Sequence, residues 1–372
     1  MKEYYGRIMM NNEGIDSIDC LQNKCPHSSN VRDIVEYFDS LGRDSRFDIA
    51  RIIFSINVFC HVLKILKNDF SIRDYMKILD DNYFLARETI KQQSVFNDML
   101  VDSSKEELIE GNSEKTKKHY STMFSNIGDV DFFEISPDNL KKLFILNNFK
   151  FDCPEIKTAL DAGCGSGRYS YALKLLGFSN VVGMDFSSKN IEFAQNKINS
   201  RQVGGIEFHV GDVTDMLFDD ESFDFVLSNG VLHHVDKNYD LVLSELHRVL
   251  KPGGNAYFYV MERPGGIFLD TIDIVRYVLK NVPESTTLHC MEYLGFKGYT
   301  IYNILDHVYV PINKRVSREE IERHILNAGF NGMEKFERGL PNYNIELLRK
   351  NPRDTENIWK YGIGEHMYIL KK

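Results

Sequence analysis

The sequence has no regular cysteine framework, no apolar leader and no long uninterrupted hydrophobic run. Six cysteines are spread through 372 residues without the regular spacing of a small secreted domain, so reduced thiols are expected. The first seven residues do not form the apolar run that opens a signal peptide, and polar residues interrupt the most apolar stretch, Ile52 to Leu66. These absences predict a cytoplasmic protein without a membrane-spanning segment.

An excess of positive charge is also missing. The chain carries 45 basic and 54 acidic residues, which leaves a formal net charge of -9. Proteins that bind DNA or RNA over a broad surface are normally basic, so this balance disfavours nucleic acid as a partner. The composition, 43% hydrophobic and 27% charged, is typical of a globular protein, and the length favours two domains or one domain enlarged by insertions.

One short segment near the amino terminus is a candidate for a metal site. Cys20 and Cys25, followed by His27, place three soft ligands close together, but no second pair with the spacing of a zinc finger follows. We therefore predict no metal site.

The amino-terminal part of the chain, from Ser29 to about Leu100, has a helical pattern. The first predicted helix has apolar residues at the spacing i, i+3, i+4, i+7, which place Val31, Ile34, Val35, Phe38 and Leu41 on one buried face. A second predicted helix, Phe47 to Leu66, is apolar almost all round and is therefore expected to be buried.

A third helix is predicted to open at the capping pair Ser71 and Asp74, and Asp80–Asn82 is predicted to be a turn before another helix that begins at Tyr83. Two polar stretches between residues 102 and 115 then indicate a linker. We place the boundary of a helical amino-terminal module, residues 1–112, at this point.

Beyond the boundary, short β-rich runs alternate with helical patterns, which indicates a parallel α/β sheet with crossover helices. Seven strands are predicted: Ile156 to Leu160, Asn180 to Met184, Gly205 to Val210, Phe223 to Leu227, Asn255 to Met261, Asn331 to Phe336 and His366 to Leu370.

The first of these strands runs into a glycine-rich turn and then a helix. Gly163, Gly165 and Gly167 permit positive φ angles and a close approach of the backbone to a ligand, and the helix that follows offers free N–H groups. In a dinucleotide-binding loop, G-x-G-x-x-G, the third glycine comes one position later than here. Asp161, at the head of the loop, favours a ligand with a positively charged amine over a pyrophosphate.

Three other strand ends carry residues suited to a nucleoside. Asp185 ends the second strand, where a carboxylate can accept hydrogen bonds from both hydroxyls of a ribose. After the third strand, Asp212 offers an acceptor for an adenine amine, and Val213 offers an apolar wall and a backbone N–H. Ser228 and Asn229 end the fourth strand.

Taken in order, these segments resemble the class I S-adenosylmethionine-dependent methyltransferases, particularly the branch that contains ubiquinone-biosynthesis and many natural-product enzymes. The resemblance is strong from Ile156 to Met261 and looser to Lys372. It implies a Rossmann-like seven-stranded methyltransferase domain, residues 113–372, with S-adenosylmethionine as cofactor. The implied cofactor-binding residues are Tyr120, Asp161, Gly163, Cys164, Gly165, Gly167, Asp185, Phe186, Asp212, Val213, Ser228 and Asn229.

The resemblance also implies a role for each group. The loop from Asp161 to Gly167 wraps the methionine part, Asp185 holds the ribose, and Phe186 packs beside the adenine that Asp212 and Val213 recognise. The Ser228–Asn229 pair lies beneath the sulfonium, and Tyr120 belongs to a helix that closes over the cofactor carboxylate. Structural roles remain open beside these: loop capping for Asp161 and Asp185, core packing for Tyr120, and a small turn residue in Cys164.

Methyl transfer is an in-line displacement that depends mainly on positioning. When the acceptor is a phenol, a hydroxyl or an acidic carbon, a histidine can remove its proton near neutral pH. His233 and His234 follow the fourth strand and are the predicted catalytic residues. The alternative is that one of them orients toward the cofactor or caps the loop while the other faces solvent.

An insertion of about residues 262–316 separates the fifth strand from a helix opened by the capping box Ser317-x-x-Glu320. We expect it to cover the active site and shape an acceptor pocket. Its aromatic residues serve either that pocket or the core of the insertion itself: Phe268, Tyr277, Tyr293, Phe296, Tyr299, Tyr302 and Tyr309.

The predicted function is methyl transfer to an oxygen, nitrogen or carbon of a small molecule, aromatic or similar to a secondary metabolite. One alternative is methylation of tRNA or a peptide, with residues 1–112 as the recognition domain. Another is a non-catalytic scaffold that binds the cofactor. The amino-terminal module loosely resembles the winged-helix-like domains through which many small-molecule O-methyltransferases dimerise, so a homodimer is also expected.

Overall fold

The computed structural model describes residues 29–66, 72–96, 112–124, 127–151, 157–235, 239–261, 266–296, 299–336 and 365–372. These residues form two compact units. One, the helical unit, contains the described parts of Met1–Glu110 and Pro264–Val310. The other, the sheet unit, contains the described parts of Gly111–Arg263, Pro311–Asp354 and Ile363–Lys372.

The described residues form twelve α-helices: α1 Ser29–Ser40, α2 Asp48–Leu66, α3 Ile72–Phe96, α4 Asn112–Phe124, α5 Ser136–Leu146, α6 Arg168–Leu175, α7 Ser188–Ser200, α8 Tyr239–Val249, α9 Gly266–Leu279, α10 Glu284–Tyr293, α11 Tyr299–Tyr309 and α12 Arg318–Asn327. They also form seven strands: β1 Thr158–Ala162, β2 Asn180–Asp185, β3 Ile206–Val210, β4 Phe223–Ser228, β5 Leu250–Met261, β6 Gly332–Lys335 and β7 Glu365–Lys371.

Helix α2 is buried in the helical unit, as its all-round apolar pattern predicts. It packs against α3 and α9, and Phe54, Val58 and Val62 belong to a core shared with α1. Of the described helices, only Ser45–Leu66, which is α2 with its preceding turn, is long and apolar enough to cross a bilayer, yet more than half of its most apolar window is buried within the protein. A core helix of a globular protein has this burial.

The predicted turn at Asp80–Asn82 is wrong, because α3 continues through it as one helix. No glycine or proline interrupts this segment, and Asp80 and Asp81 are exposed on the helix surface. Asn82 turns its side-chain amide back to the carbonyl of Ile78, at 2.7 Å, without leaving the helix. The helix-turn-helix that motivated the winged-helix resemblance is therefore absent from residues 72–96.

The insertion after β5 contributes to the same core as the amino-terminal helices. Ile267, Ile274 and Tyr277 of α9 are buried with residues of α1, α2 and α3, and Phe268 packs against that cluster. Tyr293, by contrast, is almost fully exposed. The role of the insertion as a cap over an acceptor pocket stays a prediction.

The sheet unit confirms the predicted α/β class with seven strands. Their order is β3-β2-β1-β4-β5-β7-β6. Neighbours from β3 to β5 are parallel, whereas β7 runs antiparallel to both β5 and β6. Strand β1 begins at Thr158, and Ile156, at which the strand was predicted to begin, lies outside the described residues. The capping box also forms, since Ser317 Oγ accepts from the Glu320 N–H at 3.2 Å.

Alternate residues of the central strands are buried on opposite faces of the sheet. Ala159 and Phe225 belong to a core with α5, α6 and α7, whereas Leu160 and Val226 belong to a core with α8 and α12. This three-layer arrangement explains why β1 and β4 lack polar positions at their centres. The strand order reverses between β1 and β4, and ligands of open α/β sheets bind at the carboxyl ends of strands at such a point.

Candidate active site

The glycine loop between β1 and α6 is constrained by backbone angle and by packing. Gly163, Gly165 and Gly167 have φ angles of +81°, +52° and +83°, all in the left-handed region. A Cβ on Gly163 would lie 2.5 Å from Val231 Cγ2, and one on Gly165 would lie 2.5 Å from Phe124 Cε2. Glycine is therefore required at these two positions because neighbouring side chains of the protein fill the space. The sequence explained glycine here only by positive φ angles and by the close approach of a ligand.

Strand β2 holds this loop in place. The N–H groups of Gly163 and Cys164 both donate to the carbonyl of Met184, at 2.7 and 2.9 Å. The next N–H along the chain, that of Gly165, donates to Asp185 Oδ2 at 3.0 Å. The loop after β1 and the end of β2 thus form one hydrogen-bonded unit.

Asp185 is buried at the end of β2 and holds several segments together. Its Oδ1 accepts from the Ser187 N–H at 2.9 Å and from Asn190 Nδ2 at 3.1 Å. Burial raises the pKa of the carboxyl group, and these hydrogen bonds together with the charge of Lys117 partly oppose that rise. Asp185 has the loop-capping role, and its role as a ribose ligand stays a prediction.

Asp161 is buried on β1 beneath the loop. Ser170 Oγ, in the first turn of α6, donates to Asp161 Oδ2 at 2.6 Å. Burial raises the pKa of Asp161 to about 7, although the Ser170 hydrogen bond and the nearby Arg168 act in the opposite direction. The carboxyl group of Asp161 is therefore a weaker acid than that of an exposed aspartate.

The other predicted cofactor residues occupy neighbouring strand ends. Asp212 Oδ1 accepts from the N–H and the hydroxyl of Thr214, at 2.8 and 2.7 Å, and so closes the turn after β3. Val213 is buried in a core cluster that also includes Met184. Ser228 is fully buried at the end of β4.

One face of helix α4 contacts several parts of this site. Its residues at the spacing i, i+3, i+4 and i+7 each meet a different segment. The Lys117 ammonium lies 5.5 Å from the centre of the Phe186 ring, Tyr120 Oη lies 2.7 Å from His234 Nε2, Ser121 Oγ lies 2.9 Å from Ser187 Oγ, and Phe124 packs on Gly165.

His234 lies in a chain of two hydrogen bonds. Its Nδ1 is 2.8 Å from the carbonyl oxygen of Ile312, and its Nε2 is 2.7 Å from Tyr120 Oη. A carbonyl oxygen only accepts, so Nδ1 carries the proton and donates it to Ile312. In the neutral imidazole, Nε2 is then the acceptor, and the Tyr120 hydroxyl donates to it.

His233 has a different environment from its neighbour. Its side chain is buried, and its carbonyl oxygen accepts from the Lys314 N–H at 2.9 Å. The His233 ring lies 4.0 Å from that of His234 and 5.4 Å from that of Tyr259, centre to centre. The structure therefore brings Tyr120 to His234, while His233 is part of the packing beneath.

Comparison with known proteins identifies the family. A model of the methyltransferase domain matches residues 160–258. The demethylmenaquinone methyltransferase of Oceanobacillus iheyensis is 30% identical over 234 residues, which cover 62% of this chain and 90% of that protein. The chain belongs to the class I S-adenosylmethionine-dependent methyltransferases. The predicted family and its cofactor are thereby confirmed.

Other relatives match shorter parts of this methyltransferase. The demethylmenaquinone methyltransferase of Geobacillus sp. (strain WCH70) is 31% identical over 163 residues, and the match covers 43% of this chain and 66% of that protein. The fatty-acid O-methyltransferase of Mycolicibacterium smegmatis is 37% identical over 111 residues, 30% of this chain and 39% of that protein. The chain thus spans slightly less than two thirds of the Geobacillus relative.

Solved structures resemble the methyltransferase more distantly. The S-adenosylmethionine-dependent methyltransferase from Mesorhizobium loti has 18% identity and a TM-score of 0.40, over 62% of this chain and 96% of that one. Geranyl diphosphate methyltransferase, in complex with GPP and sinefungin, has 16% identity and a TM-score of 0.39. The match covers 62% of this chain and 76% of that one. These likenesses carry no information about the acceptor.

The site also contains residues that were not predicted from the sequence. Ser187 and Asn190 follow Asp185 at the spacing of a helix cap, and Ser187 does cap α7, so this pair was detectable in principle. Ser170 and Phe124 are ordinary helical residues in the sequence. Ile312 contributes only a backbone carbonyl, which no sequence pattern distinguishes.

Residues 29–336 and 365–372, with their gaps, contain no group of three side chains suited to a metal ion. The pair Cys20 and Cys25, with His27, lies outside the described residues. The absence of a metal site in the methyltransferase stays a prediction.

Proposed function

We propose that this methyltransferase transfers the methyl group of S-adenosylmethionine to an oxygen, nitrogen or carbon of a small acceptor, aromatic or similar to a secondary metabolite. The observation that carries the proposal is the single helix face of α4. It meets the Gly165–Asp185 pair on one side, through Phe124, and His234 on the other, through Tyr120. A cofactor loop and a titratable pair thus share one edge of the sheet.

The residues present fit the cofactor. Asp185 accepts three hydrogen bonds from the protein, and two carboxylate oxygens offer about four acceptor positions, so capacity remains for a ribose hydroxyl. Ser228 Oγ is a buried oxygen for which the described residues supply no hydrogen-bond partner, as expected of a group that faces a polar ligand. S-adenosylmethionine, when bound, supplies a methyl group made electrophilic by the adjacent sulfonium.

We assign the predicted roles to these residues. The segment from Asp161 to Gly167, Cys164 included, surrounds the methionine part, and Asp185 holds the ribose. Phe186 and Val213 flank the adenine, with Asp212 at its edge. Ser228 and Asn229 lie beneath the sulfonium.

His234 is the proposed base for acceptors that must lose a proton. The Ile312 carbonyl fixes the proton on Nδ1, so that Nε2 has a lone pair for a proton that arrives from the Tyr120 side. His233 is buried and supports the ring of His234 by contact, so we assign it a positioning role. An acceptor that is already ionised requires only the alignment of its reacting atom.

A small acceptor is supported by two observations. Relatives of this chain are named for demethylmenaquinone and for fatty acids, both small molecules. The net charge of -9 opposes the electrostatic attraction on which tRNA binding depends, which disfavours the nucleic-acid alternative. A cytoplasmic location, a homodimer through residues 1–112, and a scaffold that binds the cofactor without transfer stay untested.

The proposal is tested by calorimetric titration with S-adenosylmethionine and S-adenosylhomocysteine. The wild type is expected to bind both, and Asp185→Asn, which keeps the volume but removes the charge, is expected to bind at least about tenfold more weakly. Asp273→Asn, at an equally buried carboxyl group in the helical unit, serves as the matched control and should bind as the wild type does. No binding by the folded wild type would contradict the proposal.

A further inference from the structure

We propose that Tyr120 is the catalytic group that receives the acceptor proton and passes its own hydroxyl proton to His234. This inference rests on the proposed function, and it reassigns Tyr120 from the cofactor clamp implied by the family resemblance. A hydroxyl that donates to Nε2 still has two lone pairs, so it can accept a proton from a third group at the same time.

The direction of the hydrogen bond determines which group meets the acceptor. The Nδ1–H of His234 is engaged by the Ile312 carbonyl, and Nε2 is covered by Tyr120 Oη at 2.7 Å. Both ring nitrogens are therefore already in hydrogen bonds within the protein. An acceptor that approaches this side of the imidazole meets the tyrosine oxygen before it meets Nε2.

The position of Tyr120 is restrained by its neighbours on α4. Its ring stacks on that of Phe124, with centres 5.3 Å apart and planes inclined by 21°. Phe124 itself lies against Gly165, and the next residue of the helix, Ser121, is hydrogen-bonded to Ser187. The phenol is thus held between the cofactor loop and the histidine by contacts that do not involve its hydroxyl.

Other residues on the same face of α4 lie against the segments proposed to bind the cofactor. Lys117 lies over Phe186 and lowers the pKa of Asp185 through its charge, although burial is the larger influence and raises that pKa. Phe124 covers the glycine loop. The hydroxyl of Tyr120 lies instead 2.7 Å from His234 Nε2, which ties it to the histidine rather than to these cofactor segments.

The proton balance closes without a further reagent. With a methyl donor bound, the acceptor oxygen would bond to the methyl carbon as the bond from that carbon to sulfur breaks and the neutral thioether leaves. The oxygen–hydrogen bond of the acceptor would break in the same step, and its proton would go to Tyr120 Oη. The original Tyr120 proton moves to His234 Nε2. The positive charge lost from the methyl donor therefore ends on the imidazolium, and Tyr120 is again a neutral phenol.

The test compares Tyr120→Phe with Tyr169→Phe, a half-buried tyrosine of the same unit that has no assigned role. The probes are 1,4-naphthalenediol, which must lose a proton, and decanoate, which is already ionised at pH 8. Affinity for S-adenosylhomocysteine is measured by calorimetry on every variant. The ¹⁵N signal of His234 Nε2 in the S-adenosylhomocysteine complex reports whether its hydrogen bond to Tyr120 is lost.

If Tyr120 relays the proton, Tyr120→Phe is expected to lower kcat on 1,4-naphthalenediol by about 100-fold or more. Its kcat on decanoate and its affinity for S-adenosylhomocysteine change by less than about threefold, and the Nε2 signal moves toward that of a nitrogen without a hydrogen bond. Tyr169→Phe changes none of these. An equal loss on both probes together with weakened S-adenosylhomocysteine binding would overturn the relay and restore the cofactor clamp. A wild type that fails to bind S-adenosylhomocysteine contradicts the proposed function instead.

Discussion

Ser121 Oγ lies 2.9 Å from Ser187 Oγ, and this hydrogen bond joins helix α4 to the loop that follows β2. Ser187 also caps α7 and donates its N–H to Asp185. A single pair of hydroxyl groups therefore connects the helix that carries Tyr120 with the carboxyl group expected to hold the ribose.

This pair predicts a measurable interaction in a double-mutant cycle. Ser121→Ala should destabilise the protein by about 1 kcal/mol, and Ser187→Ala by more, because it also loses a helix cap worth about 1 kcal/mol. Unfolding in urea of both variants and of the double variant should give an interaction energy near 1 kcal/mol. Ser200→Ala, at an exposed hydroxyl, is the control, and strict additivity of the two site substitutions would show that the hydrogen bond has no energetic role.

Gly165→Ala is expected to damage the site because its Cβ would lie 2.5 Å from Phe124 Cε2 at a φ of +52°. Strain of the left-handed backbone costs about 1–2 kcal/mol and the steric overlap about 1–3 kcal/mol more. Gly42→Ala separates the two effects, since Gly42 has a φ of +60° and a Cβ added there would have no atom within 4 Å. The melting temperature should fall further for Gly165→Ala than for Gly42→Ala, and only Gly165→Ala should weaken the binding of S-adenosylhomocysteine. Equal falls in melting temperature would mean that packing on Phe124 is unimportant.

The two adjacent histidines should respond differently to substitution. His234→Gln should lower kcat on hydroxyl acceptors by about 100-fold to 10,000-fold and leave S-adenosylhomocysteine binding and thermal stability nearly unchanged. His233→Gln, at a buried ring, should mainly lower the melting temperature. Steady-state kinetics and thermal melts of both variants check this division, and a larger loss of kcat in His233→Gln would reverse the assignment.

Asp161 predicts an unusual dependence of stability on pH. Burial raises its pKa to about 7 in the folded chain, above the value of about 3.9 in an unfolded one. Between these values the folded state binds more protons, so the contribution of Asp161 to stability is present below about pH 4 and is lost as the pH rises through about 7. Asp161→Asn cannot ionise, so its stability relative to the wild type should increase over this range, by at most about 1.4 kcal/mol per pH unit.

A matched control for this pH dependence is Asp224→Asn. Burial raises the pKa of Asp224, but hydrogen bonds from Thr158 and Lys251 outweigh it and the net pKa is lowered. Its contribution is therefore present above its unfolded pKa and lost in acid, the opposite sign to Asp161. Urea unfolding of the ligand-free protein between pH 4.5 and 8 distinguishes the two, and parallel curves for wild type and Asp161→Asn would contradict the prediction.

Local sequence patterns were sufficient for features whose causes are local. The alternation of β-rich and helical runs predicted all seven strands, and the box at Ser317 predicted the start of α12. They were insufficient at α3, where a polar turn signal at Asp80–Asn82 was overridden by the continuous helix. Three polar residues are compatible with either structure, and only the packing of the flanking apolar residues against α1 and α2 selects the helix.

By itself the sequence determined the family, the strand–glycine loop–helix unit and the acids at the strand ends, because each depends on residues adjacent in the chain. Tertiary structure alone decided that Tyr120 meets His234 from 114 positions away, and that the Ile312 carbonyl sets the tautomer of that histidine. It also decided that Phe124 occupies the space that a side chain on Gly165 would need. A contact between distant segments depends on how whole helices pack on the sheet, and neither residue alone carries a signal for its partner.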